Sequence, residues 1–187
     1  MTSRGLAERG KVVPMLWKLR LLWTRTDKAA LAFAMFFALV VGSLVFAFHL
    51  VSAQRDAQAA RVREFHVRSL DCLARNVYYE ARGEPAAGQY AVAEVTMNRK
   101  ASPRYPKTVC EVVYQKEAFS WTLRRALEPP GGEAWLRAAQ VAEDVYWGRR
   151  PPTLQGNVTH FHATYVRPEW ASERQRVARI GNHVFYR

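Results

Sequence analysis

The sequence predicts a mainly helical α+β domain carried behind one membrane-spanning helix. Three observations predict it. Residues 29–51 form an apolar run without a single Asp, Glu, Lys or Arg. Between about 69 and 147 several segments repeat apolar residues at helical spacing, separated by Gly and Pro signals. After Pro151-Pro152 the chain turns to short aromatic-rich segments bounded by Gly, Pro or Asn, which suit small strands.

The order of segments follows from composition. Residues 1–28 carry seven basic residues against Glu8 and Asp27, a basic tail that favours a cytoplasmic N-terminus. Residues 29–51, at ~1.5 Å per residue in a helix, are long enough to cross a ~30 Å hydrocarbon core. Val51-Ser52-Ala53 offers compact residues to a signal peptidase, so a cleaved leader is the alternative to an anchor. Residues 52–68 are polar and Ala-rich with weak helical signals and read as a stalk. The remaining segment, 69–187, is large enough to bury its own core. Of the formal charge of +12, the tail holds +5, seven basic against two acidic residues, and the rest of the chain +7, 21 basic against 14 acidic. The latter charge suits anionic wall polymers or a membrane surface. Its Arg residues are scattered and no nucleic-acid reader motif accompanies them, so no nucleic-acid partner is expected.

Within 69–187, Ser69 is placed to cap a helix with Asp71 in its first turn. Leu70, Leu73, Ala74, Val77, Tyr78 and Ala81 give that helix an inward face, and Gly83 with Pro85 stops it. Glu80 falls at the border of the buried face. Partial desolvation there would raise its pKa toward working pH, as a proton donor requires. Glu84, beyond Gly83, is expected to be exposed. A second helix spans about 86–99, ended by Ser102-Pro103 and Tyr105-Pro106. Thr108 caps a short helix through Tyr114, and another runs from about 133 to 147, ending at Gly148. Segments 158–163 and 183–186 read as strands.

Several ordered blocks carry a resemblance: Asn76-Val77-Tyr78-Tyr79-Glu80-Ala81-Arg82-Gly83-Glu84-Pro85, Gly88 to Val95, Asn98-Arg99, Tyr105 to Gln115, Phe119-Ser120-Trp121, His160 to Val166 with Trp170, and Arg179 to Tyr186. In these the chain resembles the SleB-type cell-wall hydrolases, spore cortex-lytic enzymes and their relatives, over nearly all of residues 70–187. The resemblance implies a lysozyme-like α+β domain, peptidoglycan as substrate and Glu80 as the acid that protonates the leaving oxygen between N-acetylmuramic acid and N-acetylglucosamine. In a lytic transglycosylase the same carboxylate then acts as base toward the sugar's own 6-hydroxyl, and one Glu suffices. The alternative is a muramidase with Glu84 or Glu94 as second carboxylate, which requires a separation of ~5 Å for retention or ~6.5–9.5 Å for inversion. A wall-binding scaffold without catalysis is the rival of another class.

A saccharide groove needs aromatic platforms with a few polar partners. Tyr79, Phe119, Trp121, Tyr165 and Trp170 are the candidate platforms. Gln89, Ser120 and Asn182 are candidates for the acetamido groups, with Glu84 and His162 as further substrate contacts. His160 and His162 share one face of a strand, yet no His-Glu-x-x-His helix or carboxylate at ligand spacing joins them, so neither metal nor cofactor is expected. No Ser-His-Asp elbow, Walker loop or dinucleotide-binding glycine motif appears. Cys72 and Cys110, an even pair outside a reducing cytosol, are expected to be bridged. The expected location is the inner membrane, single-pass, with the catalytic domain facing the wall. Peptidoglycan and the membrane are the expected partners, and an envelope regulatory protein is left open.

Overall fold

A computed structural model describes residues 27–187. All but the last two positions of the expected basic tail lie outside the described residues. The chain divides into two units, one up to Gln58 and one from Ala59 onward. Helix α1, Lys28–Ala81, belongs to both.

In the first unit the Ala29 N–H donates to Asp27 Oδ1 at 3.1 Å, satisfying a donor left free by the start of the helix. The best window of this helix reaches a mean hydropathy of 2.5, with none of it buried by protein. Phe33, Phe36, Phe37, Leu39, Leu44, Phe46 and Phe48 all project outward. The two hydroxyls of the stretch do not need water, since Ser43 Oγ donates to Val40 O and Ser52 Oγ to His49 O. This is one apolar N-terminal helix with the length and composition of a membrane anchor or signal.

The second unit opens with the rest of α1. The structure corrects the reading of Ser69 as a cap: it lies buried inside a continuous helix. The reason is local. No Gly or Pro occurs between Gly42 and Gly83, and residues 52–68 are dominated by Ala, Arg, Gln and other residues that tolerate helix well. Asp71, rather than answering a helix dipole, accepts from Arg75 Nε at 2.8 Å one turn on.

Helix α2, Ala86–Ala101, and helix α3, Val109–Val113, follow. Thr108 and Glu111 form a reciprocal capping box at the start of α3. A 3₁₀ turn covers Ser120–Leu123, and helix α4 spans Gly132–Tyr146. Three short strands close the chain: β1, His160–Ala163, β2, Arg176–Ile180, and β3, His183–Tyr186, in the order β1-β3-β2 and antiparallel throughout. A second 3₁₀ turn, Glu169–Glu173, links β1 to β2.

Two apolar clusters hold these elements. Leu73, Val77 and Tyr78 of α1 meet Ala93 of α2, Val109 and Val113 of α3, Phe119, Trp121, and Ala138 and Val141 of α4. Ala81 with Val92 and Val95 packs on Leu154, Val158 and Phe185, joining the helices to the sheet. Each fully buried Leu, Val or Phe contributes about 1.5–3 kcal/mol of transfer free energy. Cys72 and Cys110 form a disulfide with Cα atoms 5.3 Å apart, tying α1 to α3.

Candidate active site

Glu80 occupies the last turn of α1, between the apolar stripe and solvent. Its Oε1 is buried without a hydrogen-bond partner. Burial is the main influence on its acidity and pushes the pKa above the ordinary carboxylate value. The Arg99 charge, the Trp121 backbone amide, Arg124 and the Ser120 amide pull the other way and are outweighed.

Arg99 comes from the inner face of α2, where Val92, Val95 and Arg99 share one stripe. A buried guanidinium needs partners. Its Nε donates to Thr159 O at 2.7 Å, and its charge lies 5.0 Å from the Phe119 ring centroid and 5.6 Å from that of Tyr105. Burial lowers its pKa, while Tyr105 and Glu80 pull it back up. Asn76, one turn before Glu80, is fully buried: it donates to Thr96 Oγ1 at 3.0 Å and accepts from Trp121 Nε1 at 2.9 Å. This network fastens the 3₁₀ turn that carries Ser120 and Trp121 to the helix that carries Glu80.

Glu84 has the opposite environment and is half-buried, not exposed. Its carboxylate accepts from the Asn182 backbone N–H at 2.8 Å and from Asn182 Nδ2 at 3.2 Å, clamping the end of α1 to the β2–β3 hairpin. Gly181, at φ 56°, lies so close that a Cβ there would collide with Glu84 Oε2. Glu94 is also committed, accepting from the Thr153 and Leu154 amides at 2.7 and 2.8 Å.

The residues anticipated for the groove are not brought to one surface. Phe119 and Trp121 are core residues, and Tyr79 stacks on Trp121 at 4.7 Å with its hydroxyl donating to Glu128 O. Gln89 is buried, its Nε2 donating to Glu84 O at 3.0 Å. Ser120 is exposed beside the Glu80 turn, and Tyr165 is 86% exposed. Asn182 is spent on the clamp. His162 and Trp170 do come together: His162 stacks on Tyr186, bonds to its hydroxyl at 2.9 Å and lies edge-on to Trp170 at 5.7 Å. His162 and Trp170 line a cleft of about 500 Å³ that also takes in Arg99 and Tyr105. Among the described residues no three His, Cys, Asp or Glu side chains are grouped as a metal requires.

Sequence reasoning missed Arg99, Asn76, Tyr105 and Arg174. Arg99 had a readable signal, because a cation on the apolar stripe of an amphipathic helix must be buried with partners. Asn76 had one too, at i−4 from Glu80 on the inward side. Tyr105 and Arg174 sit in irregular segments with no such periodicity.

Comparison with known proteins gives this arrangement a family context. A spore cortex-lytic enzyme of Halalkalibacterium halodurans is 34% identical over 116 residues, covering 62% of this chain and 34% of that protein. The spore cortex-lytic enzyme of Bacillus subtilis is 32% identical over 139 residues, covering 71% of this chain and 42% of the relative. The chain thus spans less than half the length of these two relatives. The crystal structure of the catalytic domain of the Bacillus cereus SleB protein superposes with a TM-score of 0.54 at 30% identity, covering 64% of this chain and 89% of that one. The catalytic domain of the germination-specific lytic transglycosylase SleB from Bacillus anthracis gives 0.51 at 29% identity, covering 64% and 93%. The mostly helical domain with its small sheet is therefore similar to SleB catalytic domains. The model of the family described as Cell Wall Hydrolase matches residues 83–186, from just beyond Glu80 through the last strand and over more than half of the chain. With clamp, cleft and sheet all inside that match, the chain belongs to the cell wall hydrolase family.

Proposed function

We propose that the protein cleaves peptidoglycan glycan strands between N-acetylmuramic acid and N-acetylglucosamine, as a lytic transglycosylase with Glu80 as its single catalytic carboxyl. The observation that carries this reading is the state of Glu80: a desolvated carboxyl with an unpartnered oxygen, its pKa raised, beside a buried Arg99. A carboxyl whose burial favours the protonated form donates that proton to the glycosidic oxygen as the bond breaks. The resulting carboxylate, steadied by the Arg99 charge, then takes the proton of the 6-hydroxyl as that oxygen closes on the anomeric carbon. Glu84 and Glu94, the two conceivable partners for hydrolysis, already hold backbone donors with their carboxylates, which supports the one-carboxyl route. The lysozyme-like fold class belongs to the same reading.

Helix α1 from Lys28 to about Val51 is the membrane anchor in this reading, with the basic tail in the cytoplasm and residues 69–187 facing the wall at the inner membrane. A phosphatase fused after Arg187 would be active in that topology and inactive in the inverse one. The chemistry is tested by digesting purified sacculi in ¹⁸O water. Unlabelled anhydro ends are expected, because the sugar's own hydroxyl captures the anomeric carbon. Labelled reducing ends as the main product would replace the transglycosylase by a muramidase. Retained wall binding without any cleavage would leave a scaffold.

A further inference from the structure

The cleft beside Arg99 carries more positive charge than proton transfer at Glu80 needs. Its wall is built by Arg99 from α2, Tyr105, His160 and His162 of β1, and Trp170 and Arg174 of the link to β2. Arg174 Nε is buried with no hydrogen-bond partner, and the guanidinium stands 6.0 Å from the Trp170 ring centroid. Among the described residues neither Arg174 nor Arg99 is paired with a carboxylate within salt-bridge distance. Glu117, the one acidic residue of the lining, is an exposed side chain 3.8 Å from Lys116, which also lines the cleft. His160 registers the resulting field. Burial first, then the charges of Arg174, Arg99 and Arg104, push its pKa down to about 4, so it stays neutral at physiological pH.

A buried N–H without an acceptor is costly, and guanidinium is an all-donor group whose planar fork suits a carboxylate. The glycan backbone itself is neutral. Carboxylates enter it at the lactyl group of muramic acid, where no peptide is attached, or on the stem peptide.

We propose that this cleft is a carboxylate subsite in which Arg174, backed by Arg99, receives a carboxylate borne on the glycan strand, with Trp170 and Tyr105 flanking the sugar that carries it. The subsite rests on the reading of the chain as a glycan-strand enzyme. It makes Arg174 a specificity residue: strands offering a free carboxylate at this position bind in preference to the same strands made neutral.

The test is a titration of the full chain in nonionic detergent at low salt, in the Glu80→Gln background so that the ligand survives. Three soluble probes are compared: peptide-free N-acetylglucosamine–N-acetylmuramic acid oligomers, the same oligomers with the lactyl carboxylate converted to its methylamide, and peptide-bearing oligomers. At least one carboxylate-bearing probe is expected to bind about tenfold or more tightly than the methylamide. A gain for the peptide-free strand identifies the lactyl carboxylate as the ligand; a gain confined to peptide-bearing strands identifies the stem. Arg174→Gln should erase the gain while leaving methylamide affinity unchanged, and Arg174→Lys should restore part of it. Equal affinity of wild-type Arg174 protein for charged and neutral probes would overturn the subsite, as would Arg174→Gln weakening all probes alike. Cleavage by the chain with Glu80 intact is read in parallel. Charge-selective binding without cleavage would sink the enzymatic reading and spare the subsite, whereas cleavage with charge-blind binding would do the reverse.

Discussion

Glu80 and Glu84 are four residues apart, and their surroundings could hardly differ more. Glu80 lies in the last turn of a helix with one oxygen buried and unpartnered, burial outweighing the charge of Arg99. Glu84 lies beyond the helix stop, and its two oxygens hold the Asn182 backbone and side-chain N–H groups against Gly181. A carboxylate whose two oxygens are taken by donors acts as a fastener. One whose burial outweighs the donors that reach it is pushed toward its protonated form, the form a proton donor needs. The difference teaches that in the block from Glu80 to Pro85 burial and hydrogen bonding, not the residue type, separate the candidate acid from the structural clamp.

The widest gap should appear in catalysis. Glu80→Gln is expected to lower glycan cleavage by about 10² to 10⁴-fold with the fold retained, read by product release from sacculi alongside circular dichroism. Glu84→Gln should lose far less. An active Glu80→Gln beside a dead, folded Glu84→Gln would exchange the two roles.

Stability should show the reverse order. The Cys72–Cys110 bridge closes a loop of 38 residues, worth about 4 kcal/mol in the chain-entropy model. Replacing both cysteines by Ser should therefore cost more than any change at the clamp, as urea midpoints would show. Glu84→Ala, which removes the acceptor of two hydrogen bonds from the solvent-exposed Asn182, should cost about 0.5–1.5 kcal/mol. Gly181→Ala should fall in a similar range, because a left-handed φ and a collision with Glu84 act together. If Gly181→Ala were neutral in thermal melts, the clamp would not be the tight contact described.

The smallest effects are in pH. With its folded pKa raised, Glu80 adds stability that is complete below its ordinary 4.5 and fades as pH rises through the higher folded value. Glu80→Gln should remove that part of the slope, and activity itself should fall on the alkaline side as the donated proton is lost. His160 has the opposite sign. Its pKa falls from 6.5 to about 4, so its contribution is present above 6.5 and is lost as pH drops toward 4. His160→Gln should flatten the acid side of the stability profile and leave the Glu80 limb in place.

Much of the helical frame was legible because its signals are local. The Thr108 cap, the Pro breaks after α2 and the Gly148 stop lie in the chain where the structure uses them. The start of α1 was not, since Ser69 carries a capping side chain but the residues before it offer nothing that stops a helix. Strand β2 is short, and its main signal is the Gly181-Asn182 two-residue hairpin turn that joins it to β3. The groove platforms were harder. Phe119 and Trp121 carry the same aromatic signature whether they face a sugar or the core, and only packing puts them inside.

By itself the sequence determined the apolar helix near the N-terminus, the amphipathic helices that follow and the carboxyl at the end of one of them, because periodicity and capping are properties of neighbours in the chain. Tertiary structure decided which carboxyl is buried with an oxygen unpartnered, which aromatics are core and that Arg99 and Arg174 line one cleft. Those outcomes depend on partners 60 to 98 residues apart, such as Arg99 with Thr159 and Glu84 with Asn182. A hydrogen bond of that span leaves no periodic trace in the chain, since its geometry exists only after the helices have packed against the sheet.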